Sequence, residues 1–342
     1  MATGYCLNEN HQKHTMAEHP ENARRLERIR AELQAQNLDA QLQRLPTRPA
    51  TRTELERVHT PRYIDHVYSL SFTEGYLDPD TYVREGTWDA ALHAAGGLIE
   101  LVRAVVSGEL DNGFALVRPP GHHAESDHGM GFCIFNNVAV AARAAQADMG
   151  IRRVLIIDWD VHHGNATQHT FEDDPDVMYF SIHQYPYYPG TGAATERGIG
   201  PGEGTIVNVP LPGGAGDEDY ERAFTHLLVP LARRFSPELI LVSAGYDPHW
   251  RDPLAAMELT LTGFARLTQI VLDLAAELCG GRLVCTLEGG YDLDALAFGV
   301  TNTLWVLAGQ PDRVRDPLGP GPMAVRSVAD RIAEIEALWG LK

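Results

Sequence analysis

The segment VLIIDWDVHHGN, residues 154–165, places metal-binding side chains directly after an apolar, strand-like run. Its first four residues are β-branched or aliphatic, which is typical of a strand buried on both faces. Asp158, Asp160 and His162 then alternate, and in an extended chain residues two apart point to the same side. Open parallel sheets bind ligands at the carboxyl ends of their strands. The segment therefore predicts a functional site at the end of a central strand.

The rest of the chain alternates strand-length apolar runs with helix-length segments. The predicted strands are Gly113–Val117, Val154–Ile157, Val177–Ile182, Leu239–Ser243 and Leu283–Leu287. The predicted helices are Pro20–Gln36, Thr87–Val106, Asn136–Met149, Glu218–Phe235 and Thr262–Cys279. This alternation predicts an α/β fold with a mainly parallel sheet covered on both faces. Since no repeat or low-complexity linker interrupts it, we expect residues 1–342 to form a single domain.

Composition narrows the class of protein. No uncharged apolar run reaches the length of about eighteen residues that a membrane helix needs, and the polar segment Met1–Thr15 lacks a signal-peptide pattern. The net charge of −18 argues against a nucleic-acid partner. It would either steer a cationic substrate or only maintain solubility. Four cysteines without a CxxC pair fit a reducing compartment, so we expect a cytoplasmic protein without membrane or nucleic-acid partners.

Four predicted strand ends carry reactive side chains that should meet at one rim of the sheet. They lead into residues 118–123, 158–165, 244–247 and 288–291. Asp160, His162 and Asp247 would form a three-ligand oxygen and nitrogen site, which is typical of a catalytic zinc with an open position for water or substrate. The alternative is a set of hydrogen-bonded polar groups. Because Asp247 is a second aspartate at a strand end, the metal site is favoured over the polar cluster.

Other groups at the same rim predict proton transfer. His122 and His123 are candidates near neutral pH, with Asp158 and Asn165 available as their hydrogen-bond partners. Tyr291 follows two glycines and would donate to a developing oxyanion. Read alone, paired histidines are a loop feature and Glu-Gly-Gly-Tyr is a turn. Asp158 has a further alternative role, in which it binds a monovalent cation together with Ser181 and strand-end carbonyls.

Seven motifs, in order and spacing over about residues 19–305, resemble the histone deacetylase family of the arginase-deacetylase fold. They are HPE (19–21), RPPGHH (118–123), GFCIFNN (131–137), DWDVHHGN (158–165), YPGTG (188–192), SAGYD (243–247) and LEGGY (287–291). The resemblance implies a three-layer α/β/α fold around an eight-stranded sheet. It also implies zinc-dependent hydrolysis of an amide by an activated water.

The resemblance further implies a role for each matching residue. His123 would be the general base and then the acid to the leaving amine, His122 would tune it, and Tyr291 would stabilise the oxyanion. The implied zinc ligands are Asp160, His162 and Asp247. The implied substrate tunnel contains Gly131, Phe132, Tyr188, Leu254 and Gly290. The implied potassium ligands are Asp158, Asp160, His162, Ser181 and Ile182, with Phe171, Asp174 and Val177 as weaker candidates for a second potassium ion.

Two positions refine the expected substrate. Asn165, where many deacetylases have aspartate, resembles the class II branch and its bacterial relatives. Leu254 stands where polyamine-selective deacetylases carry a glutamate, which favours an acyl-lysine protein or peptide over an acetylpolyamine. A small acylated amine is an alternative substrate. Iron is an alternative to zinc as the metal, and the protein could also assemble into a homo-oligomer.

Two rivals from other classes remain. Arginase-type ureohydrolases share the fold but bridge two manganese ions, and Gly245 stands where a further acidic ligand would be needed. A non-catalytic acyl-lysine binding module would be expected to lose a ligand, the paired histidines or the tyrosine. All of these are present, so both rivals rank below a deacetylase.

Overall fold

The computed structural model describes residues 1–322 and 327–341. The strands are β1 (Thr3–Leu7), β2 (Gln43–Leu45), β3 (Gly75–Tyr76), β4 (Tyr82–Val83), β5 (Asn112–Leu116), β6 (Val154–Asp158), β7 (Val177–Gln184), β8 (Ile206–Leu211), β9 (Leu239–Ala244) and β10 (Leu283–Leu287). The α-helices are α1 (Arg24–Ala35), α2 (Arg52–Leu55), α3 (Pro61–Thr73), α4 (Thr87–Val106), α5 (Asn137–Asp148), α6 (Asn165–Phe171), α7 (Asp217–Ala223), α8 (Val229–Phe235), α9 (Leu261–Cys279), α10 (Leu293–Leu307) and α11 (Ala329–Leu338). None of the helices in this described part of the chain combines the length and apolar character needed to cross a membrane.

Eight strands form one parallel sheet in the order β2-β1-β5-β10-β9-β6-β7-β8. Each face is covered by its own hydrophobic cluster: Leu155 and Ile157 of β6 belong to one, and Val154 and Ile156 to the other. Helices pack on both faces, so the predicted three-layer α/β/α fold with a parallel eight-stranded sheet is confirmed. The strand β6 lies between β9 and β7, near the middle of the sheet.

Besides unpredicted elements such as β8 and α10, and shifts of one or two residues at other element ends, three differences from the predicted elements stand out. Residues 3–7 were expected to belong to a polar entry, but they form the buried strand β1 between β2 and β5. The first predicted helix begins at Arg24 instead of Pro20. The predicted helix Glu218–Phe235 is divided by a π-helical turn, Phe224–Leu228. Pro230 follows this turn and has no backbone N–H to donate, which favours such a local change of helical hydrogen bonding.

A buried ion-pair network ties the start of the chain to the functional end of the sheet. Glu21 accepts hydrogen bonds from Arg118, which follows β5, and from Arg25 of α1. All three side chains are fully buried. Arg25 also donates to the carbonyl oxygens of Glu288 at 2.5 Å and Gly290 at 2.8 Å. The network therefore fixes the loop after β10 against α1.

Replacing Glu21 with alanine should lower the free energy of unfolding by about 3–5 kcal/mol, because Arg118 and Arg25 would keep buried charges without their partner. Chemical denaturation measures this loss. The exposed Glu27 on α1 provides the control, since Glu27→Ala should change stability by less than about 0.5 kcal/mol. Equal effects of the two substitutions would contradict this account of the network.

Candidate active site

The carboxyl ends of β6 and β9 bring three potential metal ligands together. Ligand atoms of Asp160, His162 and Asp247 all lie within 4.8 Å of one another. His162 Nδ1 is 3.2 Å from Asp160 Oδ1 and 3.3 Å from Asp247 Oδ2. Asp160 and Asp247 are completely buried. The arrangement thus joins two distant sequence segments into one compact donor set.

The hydrogen bonding of this trio fits a bound cation. Asp160 accepts from the backbone N–H groups of His162 (2.9 Å) and Gly289 (2.7 Å), and Asp247 Oδ1 accepts from that of Val161 (3.0 Å). Within the described residues, Asp247 Oδ2 is buried and accepts no hydrogen bond of normal geometry. A buried carboxylate oxygen that lacks a well-formed hydrogen bond is costly unless a positive charge meets it, and here His162 Nδ1 lies 3.3 Å away. The donor set, two carboxylates and one imidazole, is also one that zinc uses.

The charged groups of this trio shift one another's pKa values. Burial and the nearby Asp160 carboxylate raise the pKa of Asp247 to about 6. Burial lowers the pKa of His162, but the two carboxylates outweigh it and raise that pKa to about 10. The cluster therefore attracts positive charge even before an ion is considered.

A second cluster nearby, His122, Cys133 and Glu288, is a poorer metal site. The Glu288 carboxylate accepts from Gly121 N (2.7 Å), His122 N (3.3 Å) and Ser243 Oγ (3.0 Å), so both oxygens already have donors. Burial holds the pKa of Cys133 well above its usual range, which keeps the thiol protonated. The role of Glu288, which sequence reasoning did not assign, is to hold the histidine-bearing loop.

The paired histidines have different partners. His122 Nδ1 lies 3.1 Å from Asp158 Oδ2, which also accepts from Tyr179 Oη at 2.9 Å. Burial lowers the pKa of His122, but Asp160 and Asp158 outweigh this and raise it to about 10. His123 Nδ1 lies 2.7 Å from Asn165 Oδ1, and burial together with the charge on His122 holds the pKa of His123 well below its usual range. One imidazole is thus charged and the other neutral.

A cavity of about 230 Å³ opens beside these groups. It is lined by Asp80, His123, Gly131, Phe132, His162, Tyr187, Tyr188, Leu254 and Tyr291. Of the predicted tunnel residues, Gly290 is missing from this lining; its backbone carbonyl accepts a hydrogen bond from Arg25. Asp80 and Tyr187 were not predicted to line it. Tyr187 could have been found from the sequence, because it stands next to the predicted tunnel residue Tyr188. Tyr187 stacks on His162 with ring centroids 5.8 Å apart, and its hydroxyl donates to the Leu254 carbonyl at 2.9 Å.

Tyr291 is held on two sides at the edge of this cavity. Its backbone N–H donates to Asp252 Oδ2 at 2.6 Å, and Arg25 lies over its ring at 5.0 Å from the centroid. Burial keeps the pKa of the phenol well above its usual range, so the hydroxyl remains a donor. Asp252 also accepts from Leu254 N at 2.9 Å and so links the tyrosine to the cavity rim. Sequence reasoning missed Asp252, since Tyr291, the site residue that it holds, lies 39 residues away along the chain.

Comparisons with known proteins agree with this geometry. Residues 19–307 match the family described as histone deacetylase domain. The chain is 44% identical over 310 residues to histone deacetylase 15 of Arabidopsis thaliana, covering 89% of this chain and 55% of that protein. It is 41% identical over 304 residues to a histone deacetylase-like amidohydrolase of Pseudomonas aeruginosa, with coverage of 88% and 79%. It is also 41% identical over 322 residues to the human polyamine deacetylase HDAC10, with coverage of 90% and 47%. The crystal structure of the HDA15 HD domain superposes with a TM-score of 0.90 at 40% identity, covering 99% of this chain and 94% of that one.

Gly245 is a position where the site has no room for a side chain. A Cβ atom there would lie 2.2 Å from Asp160 Oδ2 and 2.6 Å from Asp160 Cα. Gly245→Ala should therefore displace Asp160 and lower the free energy of unfolding by about 1–3 kcal/mol, the usual cost of overpacking. Gly213→Ala, whose nearest contact would be a looser 3.2 Å, is the matched control in chemical denaturation. A Gly245→Ala protein as stable as the wild type would contradict this packing.

Proposed function

Since the chain belongs to the histone deacetylase family, we propose that it is a zinc-dependent amidohydrolase that removes acetyl or other acyl groups from the ε-amine of lysine in proteins or peptides. The relatives support deacetylase activity. The observation that carries the metal-dependent part of this proposal is the buried Asp247 Oδ2, which has His162 Nδ1 at 3.3 Å but accepts no hydrogen bond of normal geometry within the described residues. It belongs to a donor set that lies at the end of an aromatic-walled cavity.

The metal ligands would be Asp160, His162 and Asp247. A zinc ion held there would act as a Lewis acid that activates water and polarises the substrate carbonyl. Gly245 supports one ion rather than the bridged pair of an arginase, because a carboxylate at that position would overlap Asp160.

The chain's own residues would supply proton transfer and charge stabilisation. His123, held neutral, would take a proton from the attacking water and pass it to the leaving amine. His122 would remain charged beside Asp158 and favour the accumulation of negative charge on the reacting carbonyl. The phenol of Tyr291 would donate to that oxyanion.

Asp158 would also contribute to a structural potassium site. It lies opposite Ser181 in the register of β6 and β7. The other proposed ligands are main-chain oxygens of Asp160, His162 and Ile182, with Ser181 as the second side chain. A hydrogen-bond network is the alternative, and Ser181 Oγ does lie 2.9 Å from His183 Nδ1. For a second ion, the candidate Asp174 already has its carboxylate paired with Arg143.

Acetylpolyamine hydrolysis is the second candidate function. Asp80 lines the cavity and the chain carries a net charge of −18, so a cationic substrate would be attracted. One relative carries the name polyamine deacetylase. Against this, Leu254 gives the cavity rim an apolar side chain that cannot bind a distal ammonium group. We therefore rank acyl-lysine first.

Removing the proposed base or the phenol should abolish turnover without unfolding the protein. We expect kcat on an acetyl-lysine peptide to fall about 10²–10⁴-fold in His123→Ala and about 10²–10³-fold in Tyr291→Phe. The exposed residues His66 and Tyr68 provide matched controls, His66→Ala and Tyr68→Phe, which should retain wild-type rates. Unchanged rates in both active-site variants would remove the proposed mechanism.

The leaving amine is tested by comparing kcat/KM for acetyl-lysine peptides, longer acyl-lysines, trifluoroacetyl-lysine and acetylated polyamines. We expect acyl-lysine to be preferred, and Leu254→Glu to shift the ratio toward acetylpolyamine by about tenfold, which is about 1.4 kcal/mol of transition-state discrimination. A wild-type preference for acetylpolyamine above tenfold would reverse our ranking.

A further inference from the structure

Asn165 links the proposed base to a carboxylate outside the metal site. Its Oδ1 lies 2.7 Å from His123 Nδ1, and its Nδ2 donates to Glu125 Oε1 at 2.5 Å. The same Nδ2 also donates to Met130 Sδ at 3.6 Å. Glu125 Oε1 in turn lies 2.8 Å from Nδ1 of His169, on the surface of α6.

We propose that Glu125 is a positioning residue that orients the amide of Asn165 and thereby fixes the tautomer of His123. This inference rests on the proposed function, in which neutral His123 is the general base. Among the described residues, the Glu125 carboxylate accepts hydrogen bonds from Asn165 and His169 and from none of the proposed metal ligands, so it would act through Asn165.

The donor and acceptor atoms around Asn165 fix the orientation of its amide. The two ends of an asparagine amide have almost the same shape, so its orientation depends on its partners. An ionised carboxylate only accepts, and the thioether sulfur of Met130 has no proton to donate. Both partners on this side therefore require the NH₂ end of Asn165, which leaves Oδ1 facing His123.

The carbonyl end of Asn165 then selects the proton position on His123. Because Oδ1 only accepts, Nδ1 of His123 must carry the proton, and Nε2 keeps its lone pair. With the amide reversed, the NH₂ group would donate to a bare Nδ1 and the proton would sit on Nε2. That tautomer cannot accept a proton from water at Nε2.

The surroundings of Glu125 keep it in place. Its backbone N–H donates to the His128 carbonyl at 2.9 Å, and its own carbonyl lies 2.9 Å from His59 Nδ1. The side chain is only 14% exposed, whereas that of His169 is 43% exposed. The hydrogen bond that His169 donates to the Glu125 carboxylate raises the pKa of His169, which favours a charged imidazole beside that carboxylate.

A reversal of donor and acceptor tests the proposal. Glu125→Gln introduces an amide that either donates or accepts, so both orientations of Asn165 become available. We therefore expect kcat to fall about tenfold with KM unchanged, which corresponds to the loss of one charged hydrogen bond. Asn165→Asp alone would set two carboxylates against each other and should cost about 10–100-fold. The double variant Glu125→Gln/Asn165→Asp restores a donor facing an acceptor, and should recover kcat to within about fivefold of the wild type.

Asp127→Asn is the control, since it removes a carboxylate from the same loop at a side chain that is 70% exposed. Imidazole ¹⁵N NMR, with the His123 signals assigned by their loss in His123→Ala, should show Nδ1 protonated in the wild type and a mixture in Glu125→Gln. A Glu125→Gln enzyme within twofold of wild-type kcat, or a double variant no faster than Asn165→Asp, would overturn the proposal. An inactive wild type would instead defeat the proposed function, and the NMR comparison would still test the tautomer.

Discussion

Four carboxylates, Asp158, Asp160, Asp247 and Glu288, lie completely buried at the carboxyl ends of β6, β9 and β10. Such groups cannot stay charged in a protein interior without donors or cations. Backbone N–H groups, two histidines and the hydroxyls of Tyr179 and Ser243 satisfy most of their oxygens, and within the described residues the exception is Asp247 Oδ2, which accepts no hydrogen bond of normal geometry. The need to compensate this negative charge explains why imidazoles gather here and why the trio of Asp160, His162 and Asp247 is a candidate cation site.

The same constraint extends to the backbone around the site. Gly245 and Gly289 pack so closely on Asp160 and Asp247 that no Cβ atom would fit. On the opposite side of the loop after β10, Arg25 holds the carbonyls of Glu288 and Gly290 and lies over the ring of Tyr291. The ion pair with Glu21 thus connects the stability of the fold to the position of the phenol.

The sequence alone predicts the parts of this arrangement that depend on local pattern. Alternation in residues 154–165 indicates that Asp158, Asp160 and His162 share one side, and an apolar run before Asp247 indicates a second strand end. The strand β1 was missed because Thr3 and Gly4 weaken its apolar pattern, although the sheet buries it on both sides. Asp252 and Glu125 were missed because the site residues that they hold, Tyr291 and Asn165, are 39 and 40 residues away in the chain, and no local periodicity marks such contacts. The tunnel walls were predicted only through family resemblance.

The most direct test of this account is the metal stoichiometry of the purified protein, measured by native mass spectrometry and by titration of the metal-free protein with Zn²⁺. The buried trio predicts one divalent ion per chain, and predicts that Asp247→Asn weakens this binding strongly while the fold is retained. Two divalent ions per chain, or undiminished Zn²⁺ binding in Asp247→Asn, would contradict the single metal centre on which the proposed chemistry depends.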